Sequence, residues 1–247
     1  LKKRAILQAL FMLFIVWQLF AWLLQLPILP SPISVIQELG KELLSGELFW
    51  HLLASLWRVM AGTFLAILFA VPAGLFLGQS KSLNRFFSPY IYLLYPIPKV
   101  VFVPIILLFL GIGNLPKVII ITMILFFQIL VLVRDQASGI RPELIQSVQS
   151  LGAGRRALFR YVYLPASIPA ILTAIRQSVG TAVAVLYIAE LFATQKGLGY
   201  YIYLNGSTYF NYPAMYAGII MLSLMGLSLY FATDWFEHIL TPWQYNE

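Results

Sequence analysis

Residues 118–133 read VIIITMILFFQILVLV, and residues 134–176 continue RDQASGIRPELIQSVQSLGAGRRALFRYVYLPASIPAILTAIR. The first run is apolar except for Thr122 and Gln128. A helix needs about 20 apolar residues to cross a hydrocarbon core about 30 Å thick, so this run spans a bilayer once it extends at either end. The second run turns abruptly to charge and glycine, then becomes apolar again near Ala170. Two spans joined by a long polar connection define an integral membrane helix protein, not a soluble fold.

The rest of the chain repeats the pattern. Further spans are expected at 5–26, 52–77, 87–110, 170–193 and 214–236, six in all with 118–133. The run 5–26 exceeds the apolar region of a secretory signal and no clean small-x-small cleavage site follows, so it is read as a retained span. The third span holds Pro89, Pro96, Pro98 and Pro104. Each proline removes a donor, so this span is expected to pack inside a bundle. Before the second span, Ser34 is expected to cap a short amphipathic helix to Leu44, with Ile36, Leu39 and Leu43 as its apolar positions. Gly74 and Gly78 give the second span a small-xxx-small face. The tryptophans, among them Trp17, Trp22, Trp50, Trp57, Trp235 and Trp243, fall mostly near span ends, as in an aromatic belt.

Composition agrees. Of 247 residues, 61% are hydrophobic and 10% charged, and the mean hydropathy is +0.86. A soluble protein of this size must cover its surface with more polar side chain than that. The net charge of +7 reads as membrane topology rather than as a nucleic-acid partner. With the N-terminus inside, Lys2, Lys3, Arg4, Lys81, Arg85, Arg134, Arg141, Arg155, Arg156, Arg160 and Arg176 fall on the inner side, 11 of the 16 basic residues. Lys41, Arg58, Lys99, Lys117 and Lys196 do not. Both termini are therefore expected in the cytoplasm. There is no cysteine, and only His51 and His238 supply imidazole, so no metal site and no catalytic residue is assigned. No phosphate-binding loop of the Walker type occurs, so the chain is not expected to hydrolyse ATP itself.

The inner connection carries its own signals. Pro142 and Glu143 suit the first turn of a helix. Leu144, Ile145, Val148 and Leu151 share one face. Gly152 and Gly154 permit a turn with positive φ. A second short helix should follow, with Leu158, Tyr161 and Val162 on one side and Arg155, Arg156 and Arg160 on another, ended by Pro165 and Pro169. Such a segment suits either lipid headgroups or the groove of a partner protein.

From Gln146 to Arg176 the connection resembles the EAA loop of permease subunits from bacterial ATP-binding-cassette (ABC) importers. Gly152, Ala153, Phe159, Val162, Leu164, Pro165, Pro169 and Arg176 carry the likeness, whereas Gln146, Ser147 and Val148 stand where Glu-Ala-Ala is usual. Leu29 to Pro32, Ser55 to Val59, Pro98 to Val100, Pro104, Gly111 to Gly113, Ala189 to Leu191 and Gly197 to Tyr200 are similar to the nitrate, sulfonate, taurine and bicarbonate branch. That branch includes relatives for riboflavin and pyrimidine precursors.

The resemblance implies an all-α integral membrane protein with about six transmembrane helices in the type I importer permease (MetI-like) fold. It implies a single permease domain, 1–247, in the bacterial cytoplasmic (inner) membrane, with residues 134–169 as a cytoplasmic coupling loop. The implied coupling residues are Glu143, Leu144, Val148, Leu151, Gly152, Ala153, Arg155, Arg156, Leu158, Phe159 and Pro165; Leu144, Val148, Leu151 and Leu158 are the expected groove contacts. The implied partners are a second permease copy, two separate ATPase subunits that hold ATP and Mg2+, an extracytoplasmic solute-binding protein and the bilayer. The implied cargo is a small anion or a small vitamin or its precursor.

Polar residues inside spans mark a pathway or a structural bond. Lys99, Gln128, Ser178, Thr181, Tyr187 and Glu190 are the pathway candidates. Lys99 and Glu190 are equally candidates for a structural pair. Arg58 reads as an interface anchor, and Asp234 and Glu237 need no special role. An ion-gradient-driven carrier is the alternative, but it would need intramembrane proton relays, for which Glu190 and Lys99 are thin provision.

Overall fold

A computed structural model of the chain describes residues 3–192 and 194–242. The expectations resting on Lys2, Ala193 and Trp243 fall outside the described residues. Among those described the chain is helical and holds no strand. It divides into a smaller unit, residues 1–55 and 190–224, and a larger one, residues 56–189 and 225–247.

The smaller unit begins with α1, Lys3–Leu24, whose apolar part Gln8–Leu24 is bare along most of its length. Trp17 anchors it, donating from Nε1 to the Pro30 carbonyl at 3.1 Å and stacking on Tyr216. The amphipathic helix α2 runs Pro32–Ser45, and its cap is Ser31, not Ser34. Pro32 needs no donor at the first helical position, so the helix starts there, and the Ser31 hydroxyl accepts from Ser34 N–H. The helix is also rotated from expectation. Val35 is its fully buried contact, while Ile36 and Leu43 remain exposed. α10, Leu198–Tyr203, follows Gly197 and passes into a π-turn, Leu204–Thr208.

The larger unit is organised by α3, Glu47–Gln79, against α6, Asn114–Ser138. Gly62, Ala66, Ala70, Gly74 and Gly78 recur every fourth residue on α3. Side chains at this spacing lie above one another, so the helix presents one smooth stripe. A Cβ at Gly78 would overlap the Ala137 side chain, and one at Gly74 would press on Val133. The Thr122 hydroxyl donates to Val118 O and, at 3.2 Å, to Gly62 O. The stripe is longer than the Gly74–Gly78 pair expected from sequence.

Among the described residues four helices are long and apolar enough to cross a membrane: α3, α6, the continuous run Arg155–Glu190 that includes α8, Arg155–Leu158, and α9, Leu164–Glu190, and α11, Tyr212–Leu240. The third span is not one helix. Lys81–Leu94 (α4) and Lys99–Leu110 meet at 76°. Pro96 and Pro98 force the break, since each lacks a donor and each disfavours helix in the residue before it. A 3-10 turn, Lys99–Phe102, then leads into α5, Val103–Leu110, with Pro104 in its first turn. The segment was expected to bury itself in the bundle. In the single chain Tyr92, Leu93, Leu108 and Phe109 are all more than 70% exposed. Lys99 satisfies two of the carbonyls at the break, those of Leu94 and Tyr95.

Candidate functional site

α7, Pro142–Ser150, starts at Pro142 and carries Glu143 in its first turn. Gly152 ends it with φ +83°, in the left-handed region that favours glycine. Gly154 was expected to share this role but takes an extended conformation at φ −78°. Leu144 and Leu151 project outward, 45% and 84% exposed, while Ile145 and Val148 are half-buried. Ala153 is half-buried and Arg155 and Arg156 are exposed. The prolines do not end the second helix. A π-turn, Phe159–Tyr163, joins α8 to α9, and Pro165 and Pro169 lie within the continuing helix.

That π-turn explains which side chains face inward. It widens the local repeat beyond 3.6 residues, so the inner face runs Leu158, Val162 and Tyr163, then Ser167, all buried. Tyr161, expected beside Leu158, is thrown outward at 69% exposure. Leu158 itself, expected as a contact for a partner's groove, is buried in its own unit at 5% exposure. Phe159 stacks on Phe76 with ring centres 5.6 Å apart. The segment therefore has an anchored base and a bare apolar crest made by Leu144 and Leu151.

The smaller unit holds a contrasting cluster. Glu190 is fully buried, yet its carboxylate accepts from the Ser55 hydroxyl at 2.9 Å and from Gly199 N–H at 2.8 Å. Ser55 Oγ in turn accepts from Leu198 N–H at 2.7 Å. His51 Nδ1 lies 3.0 Å from both the N–H and the carbonyl of Gly197. Gly197 has φ +127°, and a Cβ there would strike the Glu190 carboxylate. A carboxylate against free N–H groups at a helix start is electrostatically matched. Glu190 thus closes the loop back onto α10.

The sequence matches, over residues 62–243, the family described as binding-protein-dependent transport system inner membrane component. The chain belongs to this family. The taurine transport system permease of Escherichia coli is 31% identical over 220 residues, covering 87% of this chain and 80% of that protein. The formylaminopyrimidine transport permease of Halalkalibacterium halodurans is 29% identical over 234 residues, covering 94% and 93%. A chain of the inward-facing MetNI methionine ABC transporter has the same fold, with a TM-score of 0.69 at 20% identity, over 77% of this chain and 94% of that one. The all-α importer-permease fold and the permease role expected from the sequence are thereby established. The protein is a multi-pass inner-membrane transport subunit.

The permease's other candidate residues separate into two groups. Ser178 is fully buried and donates back to Ala174 O at 2.7 Å, a bond within its own helix. Gln128, Thr181 and Tyr187 are half-buried along their helices. Lys99 sits in the break of the third span. Its Nζ donates to Leu94 O at 2.9 Å and Tyr95 O at 2.6 Å, and lies 4.6 Å from the centre of the Phe127 ring. It caps the last turn of α4.

Three further groups escaped the sequence reading. Arg176 pairs with Asp234 at 2.7 Å and with Glu237 at 3.2 Å, and the Thr173 hydroxyl donates to Glu237. The two carboxylates of the last helix therefore do have a task. Arg176 inside an apolar span, with acids at i and i+3 near the end of another, was the available signal. Arg58, expected as an interface anchor, is 3% exposed and donates from Nε to Asn114 Oδ1. Lys117 is fully buried and donates to Gly113 O.

Proposed function

We propose that the segment from Pro142 to Leu158 is the part of this permease that a separate ATP-hydrolysing subunit grips, and that gripping it drives alternating access for a small solute. The observation that carries this reading is the pairing of a bare crest with an anchored base. Leu144 and Leu151 are exposed beside the Gly152 turn, while Leu158, Val162 and Tyr163 root the segment. An amphipathic helix laid in a partner's groove uses such anchors. The continuous helix Arg155–Glu190 then carries a displacement of the segment along a full span. Glu143, Arg155 and Arg156 supply charges at the edge of the contact, and Ala153, Phe159 and Pro165 shape its root.

ATP and Mg2+ belong to the two ATPase subunits in this reading, and the permease contributes no hydrolytic residue. A second copy of the permease completes the pore, and an extracytoplasmic binding protein delivers the cargo. Both termini lie in the cytoplasm in this reading, which the excess of basic residues in the inner connections supports. The cargo is a small anion of the sulfonate, nitrate or bicarbonate kind, or else a small vitamin precursor. The taurine and formylaminopyrimidine permeases among its relatives support both classes. Lys99, held at the break in the third span, supports the anion.

The test is ATP-driven uptake in proteoliposomes of the whole complex, with Gly152→Asp in the permease. Uptake should fall at least tenfold, with the protein still present in the membrane and still folded. Normal uptake in that variant would refute the assignment. Taurine and a formylaminopyrimidine, offered separately, discriminate the two cargo classes. A reporter fused after Glu247 that is active outside the cytoplasm would overturn the orientation.

A further inference from the structure

A cavity of about 740 Å³ opens beside the proposed gripping segment, between the end of α3, the start of α4 and the α7–α8 region. Lys81, Arg155 and Arg156 line it, together with the polar groups of Gln79, Ser80 and Gln149. Among the described residues no acidic side chain lines it. A second hollow of about 560 Å³ runs along α3, α4 and α6 and is walled by hydrocarbon, including Ala73, Phe86, Phe87, Tyr90, Phe126 and Leu130. Phe76 and Leu83 line both. The two hollows therefore adjoin at these side chains, one cationic and polar, the other apolar.

We propose that this joined site binds one anionic phospholipid, its phosphodiester headgroup among Lys81, Arg155 and Arg156 and an acyl chain in the groove bounded by Ala73, Phe86 and Phe126. Charge complementarity selects the headgroup, because three lining cations favour a phosphodiester of net negative charge over a zwitterionic one that brings its own cation. The apolar arm selects a lipid over a free anion, because a soluble phosphate leaves that groove unfilled. The position fits as well. Lys81 follows the end of one span, where a headgroup lies, and the groove extends toward the middle of α6, where an acyl chain lies. Any such lipid would touch the α8 arginines, so its headgroup charge would tune the seating of the gripping segment. The lipid site itself stands on the cavity and not on that role.

Native mass spectrometry of the purified permease complex, loaded with phosphatidylglycerol or phosphatidylcholine, tests it. The unaltered protein should retain phosphatidylglycerol in preference, with a set stoichiometry. A triple variant K81Q/R155Q/R156Q should lose that preference roughly tenfold or more. The charge-matched control R85Q/R141Q/R160Q, whose residues lie outside the lining, should keep it. Ala73→Phe, which fills the groove and leaves every charge in place, should reduce retention of the lipid. Equal losses in the two triples would reduce the effect to general attraction and overturn the site. Displacement by inorganic phosphate with Ala73→Phe silent would assign the cavity to a free anion instead. Loss of the permease dimer in Ala73→Phe with unchanged lipid preference would assign the groove to a second copy and also overturn it.

Discussion

The Glu190 loop and the Gly152 turn are both short connections next to a glycine of positive φ, yet they are built oppositely. Around Glu190, buried polar groups are bonded to one another: Ser55, His51, Gly197, Leu198 and Gly199 share one network. Around Gly152 the chain meets open space, and the large side chains nearest it are bare. The first region specifies one geometry because any departure strands a buried donor or acceptor. The second leaves apolar surface unspent, which is what a partner uses. Stiffness and adhesiveness are thus assigned to different loops of the same subunit.

Removing the Glu190 carboxylate should break this contrast most severely. Glu190→Ala leaves the Gly199 N–H and the Ser55 hydroxyl without their acceptor in a buried site. Each such group costs about 1–3 kcal/mol, so a loss of about 3–4 kcal/mol is expected. Thermal unfolding in detergent measures it, and a loss below 1 kcal/mol would show that the network is not the lock described. Gly197→Ala should follow closely, at about 2–3 kcal/mol, because it combines backbone strain with displacement of the same carboxylate. Its effect should vanish in the Glu190→Ala background if the clash is the main cost, a non-additivity that a double-mutant cycle reads directly.

The Gly152 turn should respond differently. Gly152→Ala meets no neighbour and incurs only the left-handed backbone cost, about 1 kcal/mol. Leu151→Asp should change stability by less than about 0.5 kcal/mol, as an exposed substitution, while coupled uptake falls at least tenfold. A Leu151→Asp protein that melts early would place Leu151 in the fold rather than in a contact.

Much of this architecture was legible beforehand, and the failures have physical causes. Of the six expected spans, the second, fourth, fifth and sixth return as helices long and apolar enough to cross, because bilayer thickness fixes helix length, while the first contributes only the shorter apolar helix Gln8–Leu24. The third was marked out by its four prolines, but the depth of its break, 76°, was not legible, because apolar runs do not report where a lysine can serve as the partner for freed carbonyls. Lys99 does so here. Gly152 was legible as a turn, since glycine at the end of an amphipathic run has one common use. The burial of Leu158 and exposure of Tyr161 were not, because a π-turn shifts the face by a residue without leaving a pattern in the sequence. Pro165 misled because it falls directly after the widened turn, whereas Pro169 sits inside α9 and the helix continues through it. Glu190 was singled out as a polar residue in a span, but its partners Ser55 and Gly199 are 135 and 9 residues away. Only the fold shows that its work is to hold a loop.

The weakest effect concerns Glu42, on α2 in the smaller unit. Partial burial raises its carboxyl above the ordinary 4.5, and the charges of Glu47 and Glu38 add to that, against Lys41 and the neighbouring Tyr201 hydroxyl. Tyr201 is itself raised, first by burial and then by Glu42, and its buried hydroxyl closes no hydrogen bond of good geometry. A folded pKa above the unfolded one means that the folded state holds the proton more tightly. The stabilising term is then complete below pH 4.5 and is lost as pH rises through the folded value. At neutral pH the ionised Glu42 is a small liability, so Glu42→Gln should melt slightly higher than the parent at pH 7. The gap should close as pH falls toward 4.5, because the parent then gains the neutral form that glutamine already mimics. A gap that widens on acidification would reverse the sign and show that Glu42 is held by a favourable partner. In that case the smaller unit would contain a second carboxylate anchor like Glu190, and the contrast between a saturated network there and bare surface at Gly152 would be deeper than the present bonds require.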